Sequence, residues 1–582
     1  MKHIKLLLAI VVLLSFAGCK NTFNLDINDN PNAVSPEQAD VNFLFNSIQL
    51  DFAFFNSGNS STAGVYFSTS QMARTTAFTS SRTYEDAFQP ETFNFIWRMA
   101  YANILPDVKA LTDKAAKDNL SVPIKVGASK IMASYVLTTL VDMFGDVPYS
   151  EIGQGVKVIS PKADAGQSVY AAAEKLLDEA IDVLSNAGNE SITDLYYDGD
   201  ASKWMALANA LKIRIYNNTR LVDSEAGAKI KAILDAGGLD NFADFQFKYG
   251  VNQTAPDSRH PLYANSYESS DGDYQSNYLM WLMKYEKDSI EDPRLRFYYY
   301  RQDLDLTDND PTIWECVLTE TPFQPIPAGQ FDHYLAVDPN LPFCIASEDG
   351  YFGRDHGNGE GIPPDGPLRT VYGIYPAGGA FDNNSAQETQ QKGEFGAKGE
   401  GIMPILMGSW VDFMRAEAAL MANTGEDAKA LLMSGVQKSI SKVQDFSLGI
   451  IPQSQLDYVV AKKPKVVTAK EAFIDNLDKK DSIYMAKVSD IYDNSSDKLD
   501  VIIKEFLIAT FGTGLEGYNM YRRTGKPNNM PPVIDPQIAS TTKFPRSFLY
   551  PANYVNLNQN ATQKANQQVP VFWDNNPDGL LR

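Results

Sequence analysis

Apolar residues recur at steps of three and four in separate stretches of this chain, and that rhythm limits its fold more than any other feature. In "WRMAYANILPDVKAL", Trp97, Tyr101, Ile104, Val108 and Leu111 share one helical face. "GASKIMASYVLTTLVDMFG" repeats the pattern with Ile131, Tyr135, Leu140 and Met143 and stops at Gly145. A third stretch places Val169, Ala173, Leu176, Ala180 and Leu184 together. A fourth follows a capping Asp200 and lines up Trp204, Leu207, Ala208, Leu211 and Ile215. From Val169 to Trp204 is 35 residues, near the ~34 of tetratricopeptide repeats, whose helix pairs bury their faces by stacking. Helical blocks return late, at "SWVDFMRAEAALMA" from Ser409, "DAKALLMSGVQKSISKV" and "DVIIKEFLIATFG" from Asp500. The fold class expected is mainly α: tetratricopeptide-type hairpins form a scaffold at about 95–225 and 405–525, and a C-terminal segment spans 526–582.

Between these blocks, from about 226 to 404, the periodicity gives way to Gly, Pro, Asn, Asp and aromatic residues. "EDGYFGRDHGNGEGIPPDGPLRTVYGIYPAGGAFDN" is a long connection rich in turn residues, and loops of that length in a compact protein tend to carry function. The interleaved Tyr351, Phe352, Tyr372, Tyr375 and Phe381 are more aromatic than disorder favours. A helical scaffold carrying an irregular, aromatic loop surface is the expected arrangement.

The start of the chain gives its address. Lys2 and Lys5 precede an apolar run from Leu6 to Ala17, too short for a membrane span, which requires about 20 apolar residues, and typical of a signal peptide. Residues 1–18 are read as that signal. Ala17 and Gly18 stand before Cys19 as a lipoprotein signal peptidase requires, so Cys19 is read as a lipidated anchor, with residues 19–40 its tether and 41–582 one domain. Only Cys316 and Cys344 remain; they form no disulfide framework, though a single bridge between them is open.

Charge and motif content exclude several functions. The chain has 51 basic against 72 acidic residues, a net charge of −21 with no basic stripe, which repels a phosphate backbone and argues against nucleic acid as a partner. After the signal only His260, His333 and His356 occur, without CxxC or HExxH, so neither a metal nor any other cofactor is expected. "GTGLEG", with Gly512, Gly514 and Gly517, follows a helical stretch where a nucleotide fold would place a strand, and reads as helix end plus turn. Acidic turns at Asp271 and Asp273 and from Asp303 to Asp310 lack the calcium-loop spacing. Carboxylate pairs for glycoside hydrolysis leave little trace in sequence. Glu315 beside Trp314, or Glu348 with Asp349, would be such pairs, but 72 acidic residues make chance neighbours common. In the aromatic loop, Arg354, His356 and Arg369 offer planar or polar groups for hydroxyls and carboxylates.

Several stretches together resemble one family. The anchor cysteine, "DMFGDVPYSE" (Asp142 to Glu151), "GDASKWMALANALKIR" (Gly199 to Arg214), "DPRL" (Asp292 to Leu295), "DFMRAEA" (Asp412 to Ala418), "MYRRTGKPN" (Met520 to Asn528), "FPRSFLYP" (Phe544 to Pro551) and "VFWD" (Val571 to Asp574) are similar, in order and spacing, to the SusD/RagB nutrient-binding outer-membrane lipoproteins of Bacteroidetes. The aromatic loop resembles the SusD-like branch rather than the starch-binding prototype, whose aromatic arc finds no matching motif. The resemblance implies a helical fold with four tetratricopeptide-type hairpins and a cell-surface location. It also implies a lid over a TonB-dependent transporter of the SusC type and capture of oligosaccharides or oligopeptides. "DMFGDVPYS" itself reads structurally, with Gly145 ending a helix, Pro148 preventing its resumption and Tyr149 packing back.

The expected function is therefore a non-catalytic, lipid-anchored binding lid. Tyr351, Arg354, His356, Tyr372 and Tyr375 are the expected ligand contacts, with Arg74, Phe78 and Tyr84 of "MARTTAFTSSRTY" as a second wall. A surface glycoside hydrolase or peptidase, or a structural surface subunit without a ligand, are the alternatives.

Overall fold

A computed structural model describes residues 39–58, 63–80, 82–154, 157–188, 190–268, 274–301, 331–342, 351, 353–358, 370–376, 378–381, 396–450, 459–462, 465–468 and 475–582. Cys19 with its signal and most of its tether, the acidic turns at Asp271, Asp273 and 303–310, Trp314, Glu315, Cys316, Cys344, Glu348, Asp349, Phe352 and Arg369 lie outside them.

The helices that position the sites are α1 (Val41–Ser57), α2 (Gly64–Met72), α3 (Asn94–Arg98), α4 (Leu105–Lys117), α5 (Pro123–Phe144), α6 (Gly166–Leu184), α7 (Ala201–Thr219), α8 (Gly408–Met421), α9 (Ala428–Ile450), α10 (Lys498–Ala509), α11 (Leu515–Thr524) and α12 (Ala552–Leu557). The periodic stretches fold as their spacing predicts. Asp200 caps α7, its Oδ1 accepting from the N–H groups of Ser202 (3.0 Å) and Lys203 (3.3 Å). Gly145, at φ 81°, ends α5 and donates its N–H to the Val141 carbonyl at 2.8 Å. Of the expected apolar stripe on α6, Val169, Ala173, Ala180 and Leu184 are buried, whereas Leu176 is half-buried and its neighbour Leu177 takes the core position.

Polar contacts fix the helix pairing. Lys130 with Glu179 and Ser134 Oγ with the Ala173 carbonyl (2.9 Å) run in opposite senses along α5 and α6, making an antiparallel hairpin. Lys212 with Asp178 and Tyr216 with Glu174 do the same for α7 against α6, and Ser434 with Asp412 joins α9 to α8. α5 is long and apolar enough to cross a membrane by composition, but it is a core helix with nearly all of its residues buried. Buried apolar side chains from Val41 to Trp573 form one contiguous cluster.

Three short antiparallel strand pairs complete the described fold. β1 (Phe245–Lys248) pairs with β4 (Ile402–Leu406), β2 (Tyr299–Arg301) with β3 (Thr370–Tyr372), and β5 (Val459–Lys462) with β6 (Lys465–Thr468). Of the glycines of "GTGLEG", Gly512 and Gly514 lie between α10 and α11 and Gly517 lies in the first turn of α11, so the motif follows a helix and not a strand.

Candidate functional site

The eight expected ligand contacts are all interior, each 4% exposed or less. The structure divides them rather than gathering them into facing walls. Arg74, Phe78, Tyr84 and His356 meet: the Tyr84 hydroxyl and His356 Nε2 share a hydrogen bond of 2.7 Å, and the Phe78 ring lies 5.2 Å from both rings. Arg74, in the left-handed region at φ 60°, donates to the carbonyls of Met72 (2.8 Å), Pro531 (2.9 Å) and Arg582 (3.2 Å). A guanidinium so occupied fastens three chain segments together. Burial and the Arg74 charge hold His356 well below the usual histidine pKa, so it is a neutral hydrogen-bonding partner.

The other four belong elsewhere. Tyr372 stacks on one face of Phe511 at 5.0 Å and Tyr298 on the same ring at 4.3 Å, while Tyr375 lies 6.1 Å from Tyr298. Lys284 sits 5.5 Å above the Tyr351 ring, and the Arg354 guanidinium lies 4.5 Å from the Tyr274 ring. The segment carrying Arg354 is stitched in by its backbone: the Arg354 N–H donates to the Gln275 carbonyl (2.9 Å), and its carbonyl accepts from Asn277 N–H (3.0 Å). The expectation of a solvent-facing aromatic loop surface is thus corrected at these positions. The rings are large enough to supply core area, and each finds a ring or cation to pack against.

Of the eight, Tyr84 borders a cavity of about 670 Å³. Its walls come from Phe544 beside Tyr84, from His333 to Val337, from the proline-rich run Pro532 to Pro536, and from the final residues Pro577 to Arg582. His333 Nε2 is 3.0 Å from the Val533 carbonyl, which ties two of these walls together. Arg546 is committed to Asp574 (2.7 Å) and Asp578 (2.9 Å), whereas Lys543 is exposed at the rim. The cavity combines aromatic and aliphatic walls with hydroxyl, amide and cationic groups from Thr542, Gln568 and Lys543. Such a mixture suits an uncharged or weakly acidic polyhydroxyl or amide ligand. Asp578 is the one carboxylate among the lining residues and it is ion-paired, so the paired acids of glycoside hydrolysis are not provided here. Phe544, Lys543 and His333 are not among the contacts expected from the sequence. The compact "KFPR" was the available signal, since it sets a cation and a ring side by side.

Two family models match the chain, one described as starch-binding associating with outer membrane over residues 31–313, the other as SusD and RagB outer membrane lipoprotein over residues 372–572. The chain belongs to the SusD/RagB family. Its members are non-catalytic binding proteins, and this SusD-like protein is an outer-membrane lipoprotein. Solved structures agree on the fold. A SusD/RagB family protein from Bacteroides thetaiotaomicron superposes with a TM-score of 0.61 at 17% identity, covering 93% of this chain and 100% of its own. A SusD homolog from Bacteroides fragilis gives 0.59 at 17%, covering 92% and 99%, and a chitin-binding SusD homolog from Flavobacterium johnsoniae gives 0.54 at 18%, covering 92% and 98%. No curated protein matches.

Proposed function

We propose that this SusD-like protein captures a nutrient oligomer in the cavity beside Tyr84 and Phe544 and passes it to a SusC-type TonB-dependent transporter, acting as the transporter's surface-facing lid held by lipidated Cys19. The observation that carries the reading is the coincidence of family membership with a cavity of about 670 Å³ that has both ring walls and polar groups. A glycan is favoured over a peptide. Thr542 Oγ1, which accepts from the Tyr84 N–H (3.0 Å), keeps its own hydrogen, and Gln568 Nε2, which donates one to the Lys543 carbonyl (3.1 Å), has a second; such donors suit sugar hydroxyls, and a solved relative of the same fold is chitin-binding.

Calorimetric titration of the chain with chito-, malto- and peptide oligomers tests this. Saturable heat with a glycan is expected, and Lys543→Glu with Ser540→Tyr, two changes at the cavity wall, should weaken it roughly tenfold. Heat that both changes leave untouched would move the site elsewhere. Heat with peptides alone would make this a peptide importer, and turnover of any oligomer would return the enzyme reading.

A further inference from the structure

On another face, a groove of about 420 Å³ opens between the helix that carries Trp97 to Lys109 and the short helix α12. We propose that this groove docks a partner's polypeptide segment presenting two apolar side chains with carboxylates beside them.

The shape of the groove comes from an interruption in the helix. Between α3 and α4 the chain makes a π-helical turn, Met99–Ile104, in which the Leu105 N–H donates to the Ala100 carbonyl. Pro106 follows and has no N–H to give. The helix ladder therefore lacks one hydrogen bond at this turn, whose Tyr101 and Ala102 line the groove. π-turns of this kind are rare and frequent at functional sites. The proposal draws on this turn and on the groove's charges, neither of which the ligand cavity uses.

The lining chooses the occupant. Ile159 and Leu557 stand at the rim, each 77% exposed, so two large aliphatic side chains flank one apolar slot. At the base, Trp97 packs against Tyr554 at 4.4 Å and Tyr101 at 4.5 Å. Trp97 is 8% exposed and Tyr554 6%, so neither offers an open face for a pyranose to lie on. The volume suits about two large side chains, as when residues i and i+4 of a helix enter a groove.

Charge sets the flanks. The lining cations Arg98 and Lys109 are exposed, and Lys109 holds only the exposed Asp113, a pairing that a buried competitor would replace. The one lining carboxylate, Glu151, is already engaged by the Lys162 N–H at 2.8 Å. A chain of net charge −21 thus offers a cation-edged apolar slot here, complementary to an acidic, apolar segment.

The test uses the full chain in detergent and three short synthetic helical peptides. One carries Leu and Phe at i and i+4 among glutamates, one replaces the glutamates by lysines, and one replaces Leu and Phe by serines. Calorimetry is expected to show saturable binding of the first peptide and at least roughly tenfold weaker binding of the other two. Ile159→Glu and Leu557→Glu, both at exposed positions, should weaken the first peptide similarly while the thermal midpoint stays put. The proposal is overturned if the first peptide gives no saturation, if all three bind alike, or if the two variants bind as the parent does. It is equally overturned if the variants abolish binding of an oligosaccharide or self-association of the chain, which would make the groove a glycan subsite or a contact between copies.

Discussion

At the scale of single residues, the polar positions of the quoted motifs turn out to be each other's partners. Asp142 of "DMFGDVPYSE" accepts from Arg214 (3.1 Å), Asn519 (2.7 Å) and the Trp573 indole (3.0 Å), as well as from Tyr170. Glu417 of "DFMRAEA" takes a two-pronged contact from Arg523 (2.8 and 2.7 Å), and Arg546 of "FPRSFLYP" pairs with Asp574 of "VFWD". These groups are buried, so removing one member leaves donors or acceptors of its partners unsatisfied and away from water. Asp142→Ala should cost about 3–5 kcal/mol, read as a lower urea midpoint with an unchanged slope; a loss below about 1 kcal/mol would show that the network is not needed for stability. Histidine chemistry gives a second expectation. Burial lowers the His260 pKa to about 3, while its Nδ1 accepts from the Leu262 N–H at 3.2 Å. Below its unfolded value near 6.5 the unfolded chain takes up a proton that the folded chain refuses. Stability should therefore fall by about 1.4 kcal/mol per pH unit as pH drops from 6.5 towards 3. His356, also depressed, adds in the same direction. His260→Asn keeps an acceptor and removes the proton, so the gap between parent and variant should change with pH between 7 and 5; parallel curves would acquit His260.

At the scale of elements, what was legible was what had a period. α4 to α7 and α8 to α10 announced themselves because a buried helical face must repeat every three to four residues. Two things had no such signal. The π-turn before Pro106 keeps the apolar rhythm of Tyr101, Ile104 and Val108 close enough to a plain helix to pass as one. The burial of the eight expected contacts was hidden for the opposite reason: a loop rich in tyrosine looks the same in sequence whether its rings face solvent or one another, and burial depends on distant segments such as Phe511 and Pro531. Close approach between elements is also silent in sequence. Gly514, before α11, lies so near α2 that a Cβ there would fall on the backbone of Ser70 and Thr69. Neither backbone can yield without moving its helix, so Gly514→Ala should lower the thermal midpoint by several degrees or prevent folding. Gly145→Ala is the control, because nothing stands within 4 Å of that Cβ and the strain is confined to its φ of 81°. Equal losses in the two would refute the close-packing account.

At the scale of the molecule, two family models meet in one body of buried contacts: the first covers residues 31–313, the second residues 372–572. Read separately they suggest two units. The polar bonds run across that division. Arg214 reaches Glu516, Arg294 reaches Glu505 at 3.0 Å, Asn217 reaches the Met414 carbonyl at 2.9 Å, and Arg74 reaches the Pro531 carbonyl. Each bond joins the first part to the second, and each polar group involved is buried. Cut between the parts, the first half would expose Arg214, Arg294 and Asn217 on an apolar face that Phe413, Phe506 and Trp573 now cover. The repeat helices would then have no closing layer, as in a solenoid stripped of its cap. Residues 39–301 made alone should therefore lack a cooperative melting transition and bind a dye specific for exposed apolar surface, whereas the whole chain should unfold in one step by both near- and far-ultraviolet dichroism. A half that melts cooperatively by itself would show that the scaffold and the segments after it are separate domains, and that the cavity built from Tyr84 and the C-terminal residues together lies at a joint able to move.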